Sequence, residues 1–363
     1  MVTEESSVVA SAAKTAKFWL SRGGFKATVF GTEKRGQVHL KFDGTTKEIN
    51  DFFEKVKPQL IDTTKDITAK MKARGGGLLG VELVDKTTYL ENYYQLDCRF
   101  ETFDAMGANF INSCLEQLAK TIQILANGYR PFVDSKRCMD IVMSILSNYT
   151  PDCIVRVQVC CPISELKENE AMSSKQLAQR FFDAVQIANI SKERAVTHNK
   201  GIMNGIDAVV IATANDSRAI EANAHAYACK YGSYKSLSDV SLENGTFRFW
   251  MEIPLALGTV GGVTKLHPLS KLSMELLGNP TAKTLMKIIA SVGLAQNFAA
   301  VRSLITTGIQ KGHMKMHLNN ILCQLGATEL EQKEIIDYFK SHTISFRAVE
   351  TQLRLIREVR ESD

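Results

Sequence analysis

The segment with the most unusual chemistry is residues 194–228, RAVTHNKGIMNGIDAVVIATANDSRAIEANAHAYA. Lys200 is the only lysine in it, preceded by His198 and Asn199 and followed by Asn204. An apolar run, 208–214, then leads to Asp216. The spacing indicates a cation and a carboxylate at opposite ends of one buried element.

That element is ambiguous by periodicity alone, because residues 208–214 fit either a buried strand or part of a helix. A helix is favoured, since apolar side chains recur at intervals of three and four. Gly201 and Gly205 would then let a neighbouring element approach closely. Asn215 or Asp216 would cap a following helix over 217–231.

Composition restricts the class of protein. The chain has 363 residues, 45% of them hydrophobic and 23% charged, which is typical of a globular protein with more than one domain. The net charge of +5 is spread along the chain, so we expect no nucleic-acid partner. Eight cysteines without a CxxC pair predict reduced thiols and no metal site. The acidic start and the lack of a long apolar run predict no signal peptide, no membrane contact and a cytoplasmic location.

The first half of the chain has a recognisable order of elements. After a helix over 8–20, strands are predicted at 38–42, 78–84, 93–103 and 139–146, with helices over 46–73, broken near Pro58, and over 108–127. This order is β-α-β-β-α-β, the ferredoxin-like arrangement.

The second half alternates further strands and helices. Strands are predicted at 153–161 and 247–255, and helices at 174–190, 268–277 and 281–307. Between them, residues 258–262, GTVGG, form a turn whose glycines permit close approach to a ligand. Two amphipathic helices are predicted in the tail, 327–361.

Five separated motifs occur along the chain in this order: DAMGAN (104–109), THNKGIMNGIDAVVIAT (197–213), GTVGG (258–262), VGLAQN (292–297) and GIQKGHM (308–314). Together they resemble the class II, bacterial-type 3-hydroxy-3-methylglutaryl-coenzyme A (HMG-CoA) reductases over essentially the whole chain. The resemblance implies an α/β (α+β) fold: a large substrate-binding domain around a central helix (1–36 and 149–312), an inserted ferredoxin-like dinucleotide-binding domain (37–148) and a small helical C-terminal flap (313–363).

The resemblance also implies a reaction, the four-electron reduction of HMG-CoA to mevalonate and coenzyme A, or its reverse, with two NADH or NADPH. Hydride addition builds negative charge on a carbonyl oxygen, which a fixed cation stabilises; the family pattern assigns this to Lys200. His313 would protonate the departing thiolate of coenzyme A. Glu5, in the motif EESSVVA, would supply a proton to the second alkoxide, and Asp216 would hold Lys200 and Glu5 in one network.

Binding residues are carried over in the same way. The resemblance assigns the substrate to Ser7, Arg194, Asn204 and Gln296. The cofactor motif, placed after a strand and before a helix, offers backbone N–H groups to a phosphate, and the residues assigned to the cofactor are Asp104, Met106, Gly107, Asn109, Gly261 and Gly262. No GxGxxG occurs, so a standard Rossmann site is not predicted. The choice between NAD and NADP stays open.

Geometry adds one inference about assembly. Lys200 and Asp216 are sixteen positions apart, so an intervening helix would separate them by ~20 Å or more in one chain. A shared network then needs two chains, which predicts a homodimer with active sites at its interface, as the resemblance also implies.

The sequence departs from the family pattern at several places. It begins almost at the glutamate motif, without the ENVIG-type segment that precedes it in the family. Ser6, Ala214 and Ser217 stand where proline, glycine and tryptophan are usual. An alternative is therefore a catalytically impaired homologue that binds coenzyme A or a dinucleotide as a regulatory subunit.

Overall fold

The computed structural model describes residues 5–166, 172–261, 266–306, 308 and 318–362, with side chains up to 358. Within those ranges it contains eight strands and twelve main α-helices. The strands are β1 Lys26–Val29, β2 Lys34–Phe42, β3 Gly77–Asp85, β4 Tyr93–Glu101, β5 Met139–Ser147, β6 Ile154–Pro162, β7 Ser238–Glu243 and β8 Thr246–Pro254. The helices are α1 Ser6–Leu20, α2 Thr46–Asp62, α3 Lys65–Lys72, α4 Ala108–Gly128, α5 Arg130–Asp134, α6 Ser174–Ile190, α7 Lys192–Ala212, α8 Ser217–Ala228, α9 Pro268–Leu276, α10 Ala282–Ile305, α11 Glu329–Tyr338 and α12 Phe346–Ser362. Residues 318–324 are also helical.

The predicted ferredoxin-like module is present. Its four strands form an antiparallel sheet in the order β3-β4-β2-β5. Side chains of β2 and β4 alternate between buried and more exposed positions, as expected where one face of a sheet is covered. Helices α2 and α4 supply that cover, and their apolar side chains share one hydrophobic core with the sheet.

The predicted break near Pro58 is wrong. Helix α2 passes through Pro58 and ends after Asp62. Val56 and Leu60, on either side of the proline, are both buried, so packing offsets the backbone hydrogen bond that proline cannot donate. The helix ends instead where the hydroxyls of Thr63 and Thr64 donate back to the carbonyls of Leu60 and Ile61.

A second antiparallel sheet has the order β1-β6-β8-β7. The structure confirms the predicted strands β6 and β8, whereas β1 and β7 were not predicted. Both are short edge strands, of 4 and 6 residues, so the polar and apolar alternation in their sequences is too brief to mark a strand.

The predicted central helix is α7, and it packs against α10 in the core of this part of the chain. A Cβ added at Gly205 would lie 2.9 Å from the carbonyl oxygen of Val292, and one at Gly293 would lie 2.7 Å from Ile206. The two glycines thus allow close contact between the helices. Gly201 makes no such contact within the described part of this chain, where no atom lies within 4 Å of its added Cβ.

Helix α10 is also, among the described residues, the one helix long and apolar enough to cross a membrane by length and composition. Its apolar side chains, including Leu285, Ile289 and Phe298, are fully or almost fully buried in the core. It is therefore a core helix of the folded chain.

A separate small core joins residues 318–324, α11 and α12. Glu331 ties these helices together, because Arg357 donates to both of its carboxylate oxygens at 2.8 and 3.2 Å. The N–H of Thr328 donates to the same carboxylate. These contacts lower the pKa of Glu331 to about 2, with the Arg357 hydrogen bonds as the largest cause.

The chain passes between the two sheets at neighbouring positions. It leaves the second sheet after β1 and returns at β6, and β1 and β6 are paired. The crossings are close together, since a Cβ on Gly31 would lie 2.2 Å from the carbonyl oxygen of Asp152. Arg35 bridges Asp152 at 2.6 Å and Asp97 at 3.1 Å, linking the crossing to the first sheet.

Candidate functional site

A cleft of about 680 Å³ lies between the ferredoxin-like module and the part of the chain that contains the second sheet. Residues 105–110 form one wall, residues 214–218 another, and Gly258, Val260 and Gly261 a third. Three of the motifs singled out in the sequence therefore converge on one cavity.

The N-terminus of α4 opens into this cleft. Gly107, the residue before the helix, has φ +82°, and a Cβ there would lie 2.5 Å from Thr102. No side chain of a described residue caps the helix, and its first turn carries no acidic residue. Its first N–H groups and the positive end of its dipole are therefore available to an anion in the cleft.

Asp104 braces this wall from behind. Its carboxylate accepts from the N–H of Ala282, the first residue of α10, at 2.6 Å. Its carbonyl accepts from Thr259 at 2.7 Å and Val260 at 3.2 Å, and Ala105 forms an isolated parallel bridge with Val260. Asp104 thus holds two motifs and a helix together, while Met106 and Asn109 line the cleft itself.

Asn215, which the sequence suggested only as a possible cap, holds two parts of the cleft together. It is buried, and its Oδ1 accepts from the N–H of Gly258 at 2.8 Å. Its amide group donates to Thr213 Oγ1 at 3.1 Å. A Cβ on Gly258 would lie 2.5 Å from the backbone nitrogen of Met106, so glycine is required for this contact. Asn215 and Gly258 together fix the spacing of the three walls.

Asp216 lies on the rim of the same cleft. As predicted, it caps α8, accepting from the N–H of Ala219 at 3.1 Å. Its side chain is 43% exposed, and Arg218 lies 3.7 Å away. The carboxylate is therefore accessible to a second group from solvent or from another chain.

A second set of predicted residues lies on α7 and α10. Lys200 is exposed and makes no ion pair with any described residue. Asn204 follows one turn later on the same face. Gln296 packs against Gly205, and its buried Oε1 has no hydrogen-bond partner among the described residues. Arg194 is half-buried one to two turns earlier, and burial lowers the pKa of its guanidinium.

His198 and Asn199, beside Lys200, anchor the helix. His198 Nε2 pairs with Ser238 Oγ at 2.7 Å, and Ser238 Oγ donates to Asn297 at 2.8 Å. Asn199 donates to the carbonyl of Lys235 at 2.8 Å and accepts from the N–H of Leu237 at 3.0 Å. Burial, with a smaller contribution from Arg194, lowers the pKa of His198 to about 3, so it is neutral and structural at neutral pH.

Within one chain, the predicted residues on α7 and α10, including Lys200, are separate from the cleft that Asp216 lines. Helix α7 continues from Lys200 to Ala212, roughly 18 Å at 1.5 Å per residue, and Asp216 lies beyond its end. Neither Lys200, Asn204 nor Gln296 lines the cleft.

The remaining predicted residues lie at the ends. Ser7 Oγ donates to Glu5 Oε2 at 3.1 Å at the exposed start of α1, and α1 packs on α10 and α7. Gly261, with φ +85°, lines the cleft. Gly262 and His313 lie outside the described residues. Within those residues, no group of three or more His, Cys, Asp or Glu side chains could hold a metal ion.

This arrangement can be compared with known proteins. A family model described as hydroxymethylglutaryl-coenzyme A reductase matches residues 1–318. The chain belongs to this family. Among HMG-CoA reductases, it is 34% identical over 343 residues to the Archaeoglobus fulgidus protein, covering 93% of this chain and 73% of that one. It is also 34% identical over 324 residues to the probable HMG-CoA reductase of Borreliella burgdorferi, covering 89% and 70%.

Solved HMG-CoA reductases share the fold. The structure matches the HMG-CoA reductase of Streptococcus pneumoniae with a TM-score of 0.76 and 35% identity, over 98% of this chain and 82% of that one. A class II HMG-CoA reductase from the same organism, bound to NADPH in open conformations, matches with a TM-score of 0.74 and 36% identity, over 84% and 79%. The resemblance to class II enzymes, and the mixed α/β fold predicted from it, are confirmed.

Proposed function

We propose that this chain reduces HMG-CoA to mevalonate and coenzyme A with two molecules of NADH or NADPH, or catalyses the reverse oxidation. The observation that carries the proposal is the convergence of residues 104–109, 214–218 and 258–261 on one cleft with an uncapped helix N-terminus. Family membership supports the same reaction. The chain is accordingly a nicotinamide-dependent oxidoreductase of the mevalonate pathway.

The cleft fits a dinucleotide. The uncapped N–H groups of α4 suit its pyrophosphate, and Gly107 keeps the backbone wall free of a side chain. Met106, Asn109 and Gly261 line the same space, Gly262 follows in sequence, and Asp104 braces the wall. The bound cofactor supplies the hydride, and the solved relative bound to NADPH supports this class of ligand.

The predicted residues on α7 and α10 are proposed to hold the acyl group of the substrate. The ammonium of Lys200 stabilises the negative charge that forms on the carbonyl oxygen as hydride is added, and Asn204 lies beside it. Arg194 and Ser7 bind the carboxylate and hydroxyl end of the substrate, and the unpartnered Oε1 of Gln296 can accept a hydrogen bond from it. Glu5 protonates the second alkoxide, Asp216 holds the Lys200–Glu5 network, and His313 protonates the departing thiolate.

Lys200 and Asp216 act together only if they come from two chains, so the proposed enzyme is a homodimer. Helix α9, which contacts α7, supports a partner surface here. Ser270 and Ser273 are buried, while Leu269, Leu272 and Leu276 are 38%, 49% and 76% exposed. Leucines outward and serines inward are the reverse of a solvated helix.

The dimer is tested by replacing two of these leucines, Leu272→Glu with Leu276→Glu. Sedimentation should show a monomer that still binds NADPH, because the cleft is formed by one chain, but that has lost turnover. Leu20→Glu is the matched control, since Leu20 is 78% exposed at the end of α1. A wild-type monomer with full activity would overturn the proposal.

The domain division is proposed along the hydrophobic cores. Residues 1–36 and 149–312 form the substrate-binding domain, 37–148 the dinucleotide-binding domain and 313–363 the flap; the three separate cores support it. The proposed location is the cytoplasm, where free thiols such as the eight cysteines here persist.

The reaction is tested by following nicotinamide absorbance with HMG-CoA and either NADH or NADPH. Oxidation of one cofactor, dependent on HMG-CoA and releasing free thiol, is the expected result. Failure to oxidise either cofactor, in a chain that is folded by circular dichroism, would overturn the proposal.

A further inference from the structure

Lys34, the first residue of β2, is buried behind the cleft. Only 5% of the surface of Lys34 is exposed. Its Nζ donates to Thr102 Oγ1 and, at 2.7 Å, to the carbonyl of Ala105. Thr102 Oγ1 itself donates to the same carbonyl at 2.8 Å. The three groups form a closed cluster beneath the turn that leads into α4.

This ammonium makes no salt bridge with a described residue. Glu101 and Asp104 favour its charged form from a distance, but their carboxylates are engaged elsewhere: Glu101 accepts from Thr32 and from the N–H of Phe103, and Asp104 accepts from Ala282. Burial lowers the pKa of Lys34. A buried charge whose hydrogen-bond acceptors are neutral is costly, so a contribution to folding stability is a poor explanation for its position.

Its position relative to the cleft is more informative. Ala105 lines the cleft and is bridged to Val260, and Gly107, two residues later, immediately precedes α4. Lys34 also lines a second cavity of about 310 Å³, which shares Met106, Ala108 and Asp216 with the cleft. The ammonium therefore lies directly behind the wall that presents the helix N-terminus.

We propose that Lys34 is a positioning residue for the dinucleotide: by holding the Ala105 carbonyl and the Thr102 hydroxyl, it orients the turn 102–107 so that the N–H groups at the start of α4 face the cleft. This inference rests on the proposed function. It assigns to Lys34 an effect on the dinucleotide and none on the acyl group, because its hydrogen bonds go to Thr102 and Ala105 and to none of the residues assigned to the acyl group.

The test is Lys34→Met, which keeps the length and removes the charge and the donors. Lys41→Met is the matched control, because Lys41 lies at the other end of β2 and is exposed. NADPH binding is measured by fluorescence, together with kcat, the KM for each substrate and the melting temperature. Loss of one charge-assisted hydrogen bond corresponds to about a tenfold weaker complex. We expect this rise in the NADPH Kd and KM for Lys34→Met, with the HMG-CoA KM within twofold and an undiminished melting temperature.

Thr102→Val provides a second variant, because valine keeps the shape of threonine and removes only the hydroxyl. It should weaken NADPH binding in the same direction, and the double variant should be no weaker than Lys34→Met alone, since both act through the Ala105 carbonyl. If Lys34→Met does not fold, Thr102→Val with an unchanged NADPH Kd overturns the proposal.

Two further outcomes are distinguishable. NADPH affinity in Lys34→Met equal to that of Lys41→Met overturns the role of Lys34 and leaves the proposed function intact. Wild-type protein that binds neither NADPH nor NADH overturns the proposed function itself.

Discussion

The N–H of Gly258 donates a 2.8 Å hydrogen bond to Oδ1 of Asn215, and both residues are buried. This contact joins the loop after α7 to the glycine turn after β8. It places Asp216, the next residue, at the rim of a cleft whose opposite wall is the start of α4. The connection between Asp216, the proposed catalytic carboxylate, and the wall proposed to bind the cofactor therefore runs through one amide side chain.

Replacing Asn215 should weaken both stability and cofactor binding. Asn215→Ala leaves the Gly258 N–H buried without a partner, which costs about 1–3 kcal/mol. We expect a fall of that size in the free energy of unfolding by urea, and a weaker NADPH complex. Asn127→Ala, at an exposed position on α4, is the control. Equal unfolding free energies and equal NADPH affinities for the two variants would show that the contact is unimportant.

Gly205 and Gly201, one turn apart on α7, should respond oppositely to alanine. At Gly205 the new Cβ would lie 2.9 Å from both Val292 O and Gln296 Cβ, and such overpacking costs about 1–3 kcal/mol. At Gly201 no atom of a described residue lies within 4 Å, so alanine should be neutral or stabilise by up to ~1 kcal/mol through its helix propensity. Thermal unfolding of both variants measures the difference. Similar destabilisation by both would mean that the contact between α7 and α10 does not depend on Gly205.

His198 should make the protein sensitive to acid. Its folded pKa is about 3, against 6.5 for an ordinary histidine, so the unfolded chain binds more protons between these pH values. The unfolding free energy therefore falls as pH decreases from 6.5 towards 3, by up to ~1.4 kcal/mol per pH unit from this group.

The measurement is urea unfolding at several pH values in wild type, His198→Asn and His342→Gln, the last being an exposed histidine. His198→Asn should show the shallower pH dependence, whatever its stability at neutral pH. An unchanged slope would mean that His198 is not buried as a neutral base.

Substitutions of Lys200 and His313 should have different effects on the reduction of HMG-CoA and of free mevaldehyde. Lys200→Ala removes the cation beside the developing oxyanion, an effect of several kcal/mol or at least ~10²-fold in kcat, for HMG-CoA and for free mevaldehyde alike. His313→Gln should impair HMG-CoA reduction but spare mevaldehyde, which has no thiolate to protonate. Lys192→Ala, at the exposed start of the same helix, is the control. Equal losses of mevaldehyde reduction in Lys200→Ala and His313→Gln would refute the role assigned to His313.

The fold was predictable where one face of an element is buried. The alternation in β2 and the apolar stripe of α6 specify their structures directly, and the helix over 174–190 was predicted with its observed bounds. Pro58 misled the prediction, because burial of Val56 and Leu60 outweighs a local backbone preference. The edge strands β1 and β7 were missed because the alternation in each extends over only 4 and 6 residues.

For the candidate site, residue types and motif order predicted which segments come together, but not how they are held. The hydrogen bond from Gly258 to Asn215 spans 43 positions, and that from Lys34 to Ala105 spans 71. Both involve a backbone group, whose partner depends on tertiary packing and leaves no periodic trace in the sequence. Asp104 illustrates the same limit, since its carboxylate binds the start of a helix 178 positions away.

The neighbouring crossings between the two sheets have a consequence for protein engineering. Val29 pairs with Val155, and the N–H of Phe30 donates to the carbonyl of Ile154, so the ends of the intervening segment already lie side by side. A tight turn joining these two strands would replace the whole ferredoxin-like module without disturbing the β1–β6 register. A different unit grafted at these two points would keep that register, and it would have to replace the contacts that Asp104 and Ala105 make with Ala282 and Val260.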